Sequence, residues 1–201
     1  MIVGIVGYTG DGKTLLSVIL TSQIVYGNAY IKDGKKYSKY QLMSNLKSLK
    51  IPHMDFDTQF LPLIDSISNK PFEQNVQKRI LLVDEIQQYL DSRSSMSSQN
   101  KYISRELFQI RKYGFEMLYT LQDYMSLDGR LRRITQLLVL PSFDKNTMEF
   151  TIQITDNRLN NIAERQFRIS NVWYSMYNTY EKIGGDINMP VKIKGTNLSI
   201  S

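Results

Sequence analysis

The segment Gly7-Tyr8-Thr9-Gly10-Asp11-Gly12-Lys13-Thr14 decides the fold prediction for this chain of 201 residues. Before it, residues 2–6 (IVGIV) are apolar and mostly β-branched, which predicts a strand buried on both faces of a parallel sheet. After it, apolar residues recur at helical spacing as far as Gly27. A glycine-rich turn between a strand and a helix points backbone N–H groups and the positive end of the helix dipole at an anion.

The pattern Gly7-x4-Gly12-Lys13-Thr14 matches the P-loop, and its strand–turn–helix context is the one that this motif requires. A chance match is the alternative, expected in about one chain of this length per hundred at background glycine content, and the context lowers those odds further. We expect Lys13 to bridge the β- and γ-phosphates of ATP and the Thr14 hydroxyl to coordinate Mg²⁺. The predicted nucleotide-binding residues are Gly7, Tyr8, Thr9, Gly10, Asp11, Gly12, Lys13, Thr14 and Leu15.

Two adjacent carboxylates, Asp84 and Glu85, follow the apolar run ILLV at residues 80–83. Because ligands bind at the carboxyl ends of parallel strands, we expect Asp84 beside the Mg²⁺ and Glu85 positioned to polarise the attacking water. The alternative is a surface helix whose acidic start favours the dipole. A small GTPase would carry an Asn-Lys-x-Asp motif, and the candidate at residues 69–72 (NKPF) lacks the aspartate. A glutamate directly after the metal aspartate is typical of the additional-strand branch of P-loop proteins.

Two further candidates for catalysis are Gln122 and Arg111. Gln122 follows the predicted strand 115–121 and could sense the γ-phosphate or the attacking water, or could merely cap the strand. Arg111 ends a predicted helix, where a cation is favourable in any case. We interpret it as an arginine finger that reaches a neighbour's γ-phosphate. The basic cluster at residues 130–133 (RLRR) could serve instead, or could contact DNA phosphates.

Composition excludes several classes of site. The chain has no cysteine, which excludes disulfides and Cys-ligated zinc, and its single histidine, His53, leaves no metal site built from several histidines. The formal net charge of +6 favours a polyanionic partner without proving one. The start of the chain lacks a basic n-region, and the longest uncharged stretch, residues 14–31, contains several polar residues. We therefore expect neither a signal peptide nor a membrane span.

Strands and helices alternate as far as residue 140, which predicts an α/β fold: a mostly parallel central sheet flanked by helices. The alternating stretch TMEFTIQIT at 147–155 predicts an antiparallel edge addition near the C-terminus. We expect one domain over 1–201, with a core at about 1–145 and an extension at about 146–201. The other predicted elements are a basic hairpin or loop at 27–39, strands at 40–46, 79–84 and 135–140, helices at 57–68 and 101–113, a flexible loop at 91–100 and a polar tail from Lys182.

These motifs, with FQIRKYG and LDGRLRR, resemble the FtsK–HerA superfamily of DNA-pumping ATPases over roughly residues 1–145. Within it, the chain is most similar to the genome-packaging ATPases of the Sulfolobus turreted icosahedral viruses. The resemblance implies a RecA-like core, a hexameric homo-oligomeric ring, Mg-ATP hydrolysis and double-stranded DNA driven into a viral capsid. It also implies capsid or portal partners and a location in the host cytoplasm, transiently at the procapsid vertex.

Other functions stay open. Lys32, Lys35, Lys36 and Lys39 are candidate DNA contacts in a ring pore, although a solvated charged loop explains them equally well. A phage assembly ATPase of the Zot type is the runner-up within the superfamily. A P-loop kinase acting on a small metabolite is an alternative of another class, and a capsid component that binds nucleotide without turnover is a third.

Overall fold

The strand at Ile2–Val6, β1, lies near the middle of the sheet, as its apolar sequence predicts. The computed structural model describes residues 1–27, 29–32, 35–38, 40–55, 78–89 and 114–178. Its strands are β1 (Ile2–Val6), β2 (Ala29–Lys32), β3 (Lys35–Ser38), β4 (Tyr40–Ser44), β5 (Met54–Asp55), β6 (Lys78–Val83), β7 (Phe115–Leu121), β8 (Leu137–Asp144), β9 (Glu149–Asp156) and β10 (Asn161–Arg168). Its helices are α1 (Lys13–Gly27) and α2 (Gly129–Ile134), with 3₁₀ helices at Ile86–Gln88, Tyr124–Ser126 and Asn171–Met176.

Eight strands form one sheet in the order β10-β9-β8-β1-β7-β6-β4-β5, and β2 pairs with β3 in a separate hairpin. The strands from β8 to β5 in this order run parallel to one another, whereas β9 and β10 are antiparallel to their neighbours. The predicted fold class, a mostly parallel sheet with antiparallel strands added near the C-terminus, is confirmed. The parallel strands define two edges, an amino edge where they begin and a carboxyl edge where they end.

The predicted antiparallel addition at the edge of the sheet is present and consists of two strands. The stretch at 147–155 corresponds to most of β9, which lies between β8 and β10. The edge strand is β10, whose sequence NIAERQFR is largely polar and exposed, so it lacks the apolar alternation that marks a half-buried strand. The predicted strand at 135–140 begins at Leu137 and continues to Asp144.

Apolar side chains pack against both faces of the sheet. In β1, Ile2 and Val6 belong to the cluster that includes Leu131 of α2, whereas Val3 and Ile5 belong to the cluster that includes the buried side chains of α1. This division follows from the two-residue period of a strand, which sends successive side chains to opposite faces. It accounts for the unbroken apolar sequence of β1.

The hairpin of β2 and β3 confirms the hairpin predicted at 27–39. It directly precedes β4, a parallel strand, and therefore joins the sheet at the amino edge. The predicted helices at 57–68 and 101–113, the loop at 91–100 and the tail from Lys182 lie outside the described residues. Within the described ranges, no helix has the length and apolarity to cross a bilayer.

Candidate functional site

The predicted phosphate-binding turn connects the carboxyl end of β1 to the start of α1 at Lys13. The Lys13 ammonium donates a hydrogen bond of 2.8 Å to the Tyr8 carbonyl, so its side chain folds back over the turn. Partial burial lowers the pKa of Lys13, an effect that Asp11 and Asp84 oppose. The first turn of α1 contains no acidic residue, which leaves the positive end of its dipole free to attract an anion.

Gly12 is the tightest position of this turn. Its φ of +82° lies in the left-handed region, and an added Cβ would lie 2.8 Å from the Phe150 ring and 2.9 Å from the Phe143 Cβ. Both phenylalanines come from the β8–β9 hairpin, with ring centroids 4.4 Å apart. The turn thus requires glycine here for two reasons, backbone conformation and close contact with the hairpin.

Asp84 follows β6, and its carboxylate lies beside the start of α1. It accepts a hydrogen bond of 2.9 Å from the Thr14 hydroxyl and another from the Thr120 hydroxyl of β7. The Asn45 amide donates to the Asp84 carbonyl at 2.8 Å and accepts from its backbone N–H at 2.8 Å. The structure therefore brings together the two residues predicted to hold the metal, and it fixes the aspartate from both sides.

The electrostatics of Asp84 favour a cation. The residue is only 3% exposed, and burial raises its pKa from 3.8 to about 6 even though Thr120 and Thr14 donate to it. The neighbouring charge of Glu85 raises the pKa further, and Lys13 lowers it. A carboxylate and a hydroxyl are hard oxygen donors of the type that Mg²⁺ takes from proteins, with phosphate and water oxygens completing its octahedron. The donor set therefore fits the predicted ion.

Glu85 has a strained backbone, with φ 52° and ψ 54°, in the left-handed region that non-glycine residues seldom adopt. Its N–H donates to the Thr120 hydroxyl at 2.9 Å, and its carboxylate accepts from the Gln88 amide. Thr120 thus holds both acidic residues in place. Sequence reasoning did not assign it a role, although a hydroxyl within the apolar strand FEMLYTL was a usable signal.

Glu85 and Gln122 both line the cleft above the phosphate-binding turn, as predicted, whereas Arg111 lies outside the described residues. Arg130, Arg132 and Arg133 belong to α2, and the last two line a different cleft. The functional roles of these residues stay predictions.

The cleft has a volume of about 740 Å³ and extends beyond the predicted residues. Its additional lining comes from the β8–β9 hairpin and from the segment around the last 3₁₀ helix. The residues that line it are Thr9, Gly10, Gly12, Lys13, Thr14, Leu15, Glu85, Thr120, Gln122, Phe143, Lys145, Tyr174 and Tyr177. The sequence did not predict a role for four of them, Phe143, Lys145, Tyr174 and Tyr177. No local pattern connects residues this far along the chain to the P-loop.

Solved structures of known proteins share this fold. The N-terminal domain of zonular occludens toxin from Neisseria meningitidis superposes with a TM-score of 0.60 and 19% identity, over 88% of this chain and 97% of that one. The genome packaging NTPase B204 from Sulfolobus turreted icosahedral virus 2, in complex with ATP-gammaS, gives a TM-score of 0.53 and 12% identity, over 82% and 96%. The fold is that of a P-loop ATPase.

The resemblance predicted from the motifs is thereby confirmed at the level of the fold. A third solved structure, the cytoplasmic domain of the type VII secretion ATPase EccC from Thermomonospora curvata, has a TM-score of 0.50 and 12% identity. It matches 84% of this chain but only 24% of that one. No protein-family model matches the sequence, and comparison with curated proteins finds no match.

The strand order agrees with the additional-strand branch expected from Glu85. Strand β7 lies between β1, which leads into the P-loop, and β6, which ends in the acidic pair. Thr120 of the inserted strand and Gln122, which directly follows that strand, therefore lie between the phosphate-binding turn and the two carboxylates. This arrangement can hold a triphosphate, a divalent cation and a water molecule against one another.

Proposed function

We propose that this protein is a Mg²⁺-dependent ATPase that translocates double-stranded DNA, and that it packages a genome into a viral capsid. The observation that carries the hydrolase part is the contact of Thr14 with Asp84, beside Lys13 and across from Glu85. A buried carboxylate with a raised pKa, next to a hydroxyl at a helix start, is a set of oxygen donors that would hold a divalent metal ion beside a bound nucleotide.

Each site residue has an expected role. Lys13 binds the β- and γ-phosphates, Thr14 and Asp84 hold the metal, and Glu85 polarises the attacking water. Gln122 senses the γ-phosphate from the tip of β7. Arg111 stabilises the transferring group of a neighbouring subunit, which requires a ring of subunits, and the resemblance makes that ring a hexamer.

The hydrolysis test is the Glu85→Gln variant. It should bind Mg-ATP while its turnover falls by roughly 100-fold or more, the effect of losing a general base. Glu116→Gln is the matched control, because Glu116 lies on β7 and pairs with Lys78 near the amino edge. Normal turnover in Glu85→Gln, or turnover that persists in excess chelator, would refute the proposed hydrolytic site.

The proposed DNA contact lies at the amino edge. A cleft of about 520 Å³ there is lined by Arg132, Arg133 and Arg158, and none of the three forms an ion pair within the described ranges. Arg158 lies in the turn after β9, whose last residue pairs with the first residue of β8. The lysine-rich β2–β3 hairpin joins the same edge. Guanidinium groups that form no ion pair suit sequence-independent contacts with phosphates.

The DNA test uses an Arg132→Ala/Arg133→Ala double variant, with Arg165→Ala on β10 as the control for loss of exposed charge. Duplexes of unrelated sequence should bind wild type with similar affinity. The double variant should lower the slope of log affinity against log salt by about 0.9 per lost phosphate contact. An unchanged slope, or strong preference for one short sequence at high salt, would contradict this contact.

The proposed packaging role and its partners rest on structural similarity to a solved protein. The structural similarity to a protein described as a genome packaging NTPase supports double-stranded DNA, a capsid or portal partner and action at the procapsid vertex in the host cytoplasm. A Zot-like phage assembly ATPase is the second candidate, favoured by the TM-score of 0.60. Stimulation of hydrolysis by duplex DNA supports the translocase; hydrolysis indifferent to DNA favours the assembly ATPase.

A further inference from the structure

One end of the nucleotide cleft, beside the β8–β9 hairpin, has a largely aromatic lining. Phe143 and Lys145 come from the β8–β9 hairpin, and Tyr174 and Tyr177 from the chain around the last 3₁₀ helix. Tyr177 is 9% exposed, and burial together with the charge of Asp84 raises the pKa of its hydroxyl. This end is thus continuous with the phosphate site but differs from it in chemistry.

The aromatic lining is fixed to the phosphate-binding turn. Phe143 packs against Phe150 with the two rings tilted, and it lies 6.2 Å, centroid to centroid, from the Tyr174 ring. Both phenylalanines contact the position that a Gly12 Cβ would occupy. The distance from the P-loop to the aromatic rings is therefore set by direct packing.

The chain that carries Tyr174 is anchored to the loop after β4. The Lys50 N–H donates to the Met176 carbonyl at 2.8 Å, and the Asn178 N–H donates to the Ser48 hydroxyl at 2.9 Å. These hydrogen bonds attach a segment near residue 175 to a different part of the core. The rings are consequently preorganised, which lowers the entropic cost of binding a planar ligand against them.

We propose that this end of the cleft is the nucleobase site, where Tyr174 and Phe143 hold a purine by stacking and discriminate little between adenine and guanine. The proposal rests on the ATPase function proposed above. The volume of about 740 Å³ accommodates a whole nucleotide, and aromatic faces stack with any base.

The polar groups that line the cleft explain why the site should discriminate only weakly between adenine and guanine. A site selects one base over another by hydrogen bonds that the wrong base leaves unpaired. Among the described side chains that line the cleft, the carboxylate and the amide belong to Glu85 and Gln122, which follow β6 and β7, on the other side of β1 from the β8–β9 hairpin. The base end offers the Lys145 ammonium and tyrosine hydroxyls, which can accommodate either purine.

The test compares ATP, GTP and inorganic tripolyphosphate, all with Mg²⁺, by calorimetric titration. Tyr174→Ala should weaken ATP and GTP binding by on the order of 10-fold, the scale of one lost stacking contact, and should leave tripolyphosphate affinity unchanged. Tyr174→Phe keeps the ring and should bind ATP as wild type does. Phe143→Leu keeps apolar volume but removes an aromatic face, so it should also weaken ATP selectively.

Three results would overturn the base site. The first is that Tyr174→Ala weakens the binding of tripolyphosphate as much as the binding of ATP. The second is that ATP affinity is unchanged in both Tyr174→Ala and Phe143→Leu. The third is that wild type prefers ATP over GTP by more than about 100-fold. A different set of binding results would show that the ATPase proposal itself is wrong. In that case wild type binds neither ATP nor tripolyphosphate, or Lys13→Ala binds both normally.

Discussion

Replacing Asp84 by asparagine should stabilise the protein in the absence of divalent cations. Burial raises the pKa of Asp84 from 3.8 to about 6, so the folded protein holds an unfavourable charge at neutral pH. At about 1.4 kcal/mol per pH unit, this difference amounts to about 3 kcal/mol of lost stability. Asparagine has the same shape, carries no charge and keeps an oxygen to which the Thr14 and Thr120 hydroxyls can donate.

The pH dependence has a definite sign. Between about pH 4 and pH 6 the folded state binds this proton more tightly than the unfolded chain, so stability falls as pH rises through that window. Urea unfolding in chelator should therefore show Asp84→Asn more stable than wild type by up to about 3 kcal/mol at neutral pH. The difference should shrink towards zero near pH 4.

Asp156→Asn is a control at a carboxyl whose pKa is shifted in the opposite direction from that of Asp84. Hydrogen bonds from Asn160, then from the Arg158 backbone, hold the pKa of this exposed carboxyl below its usual value. Its stabilising effect is present at neutral pH and lost on acidification, so Asp156→Asn should be less stable than wild type at neutral pH. The reasoning about Asp84 is refuted if Asp84→Asn is no more stable than wild type at neutral pH, or if its advantage persists unchanged at pH 4.

Three further outcomes are expected. Thr120→Val should lower the free energy of unfolding by about 2 kcal/mol, since it removes a hydrogen bond to a buried carboxylate. Thr120→Ser keeps the hydroxyl and should not lower it. Urea titration measures both variants. Gly12→Ala combines positive φ with the phenylalanine contacts and should lose more stability and ATP affinity than Gly10→Ala, whose φ is also positive but whose surroundings are open. Arg111→Ala mixed with Glu85→Gln should regain ATPase activity if Arg111 acts between subunits, and wild-type activity in Arg111→Ala alone would exclude that role.

The parts of the fold that the sequence predicts are those with a strong local pattern. β1, the P-loop and α1 follow from one motif, and the run before Asp84 marks β6 because four buried apolar residues end in acid. The convergence of Thr14 with Asp84 could also be predicted, since parallel strands end at one edge of a sheet. Periodicity and motif chemistry were sufficient for these elements.

The supporting residues could not be predicted in this way. The Asn45 side chain forms hydrogen bonds with the backbone of Asp84, 39 positions away in the sequence, and the residues around Asn45 give no sign of this contact. Tyr174 reaches the nucleotide cleft only because the chain after β10 returns to the loop following β4. Such placements depend on how separate elements pack, which a single sequence does not encode locally.

The central position of β1 has a consequence for synthesis of the chain. Ile2 pairs with Met117 and Val3 with Leu137, so both sheet neighbours of the first strand are made more than a hundred residues after it. At about 5–20 residues per second, a nascent IVGIV segment waits roughly 7–28 s for its partners to be translated. During that interval it is an apolar strand with both edges open, the kind of segment that pairs with other chains. Chaperone protection of this segment during synthesis is therefore expected to raise the yield of folded protein.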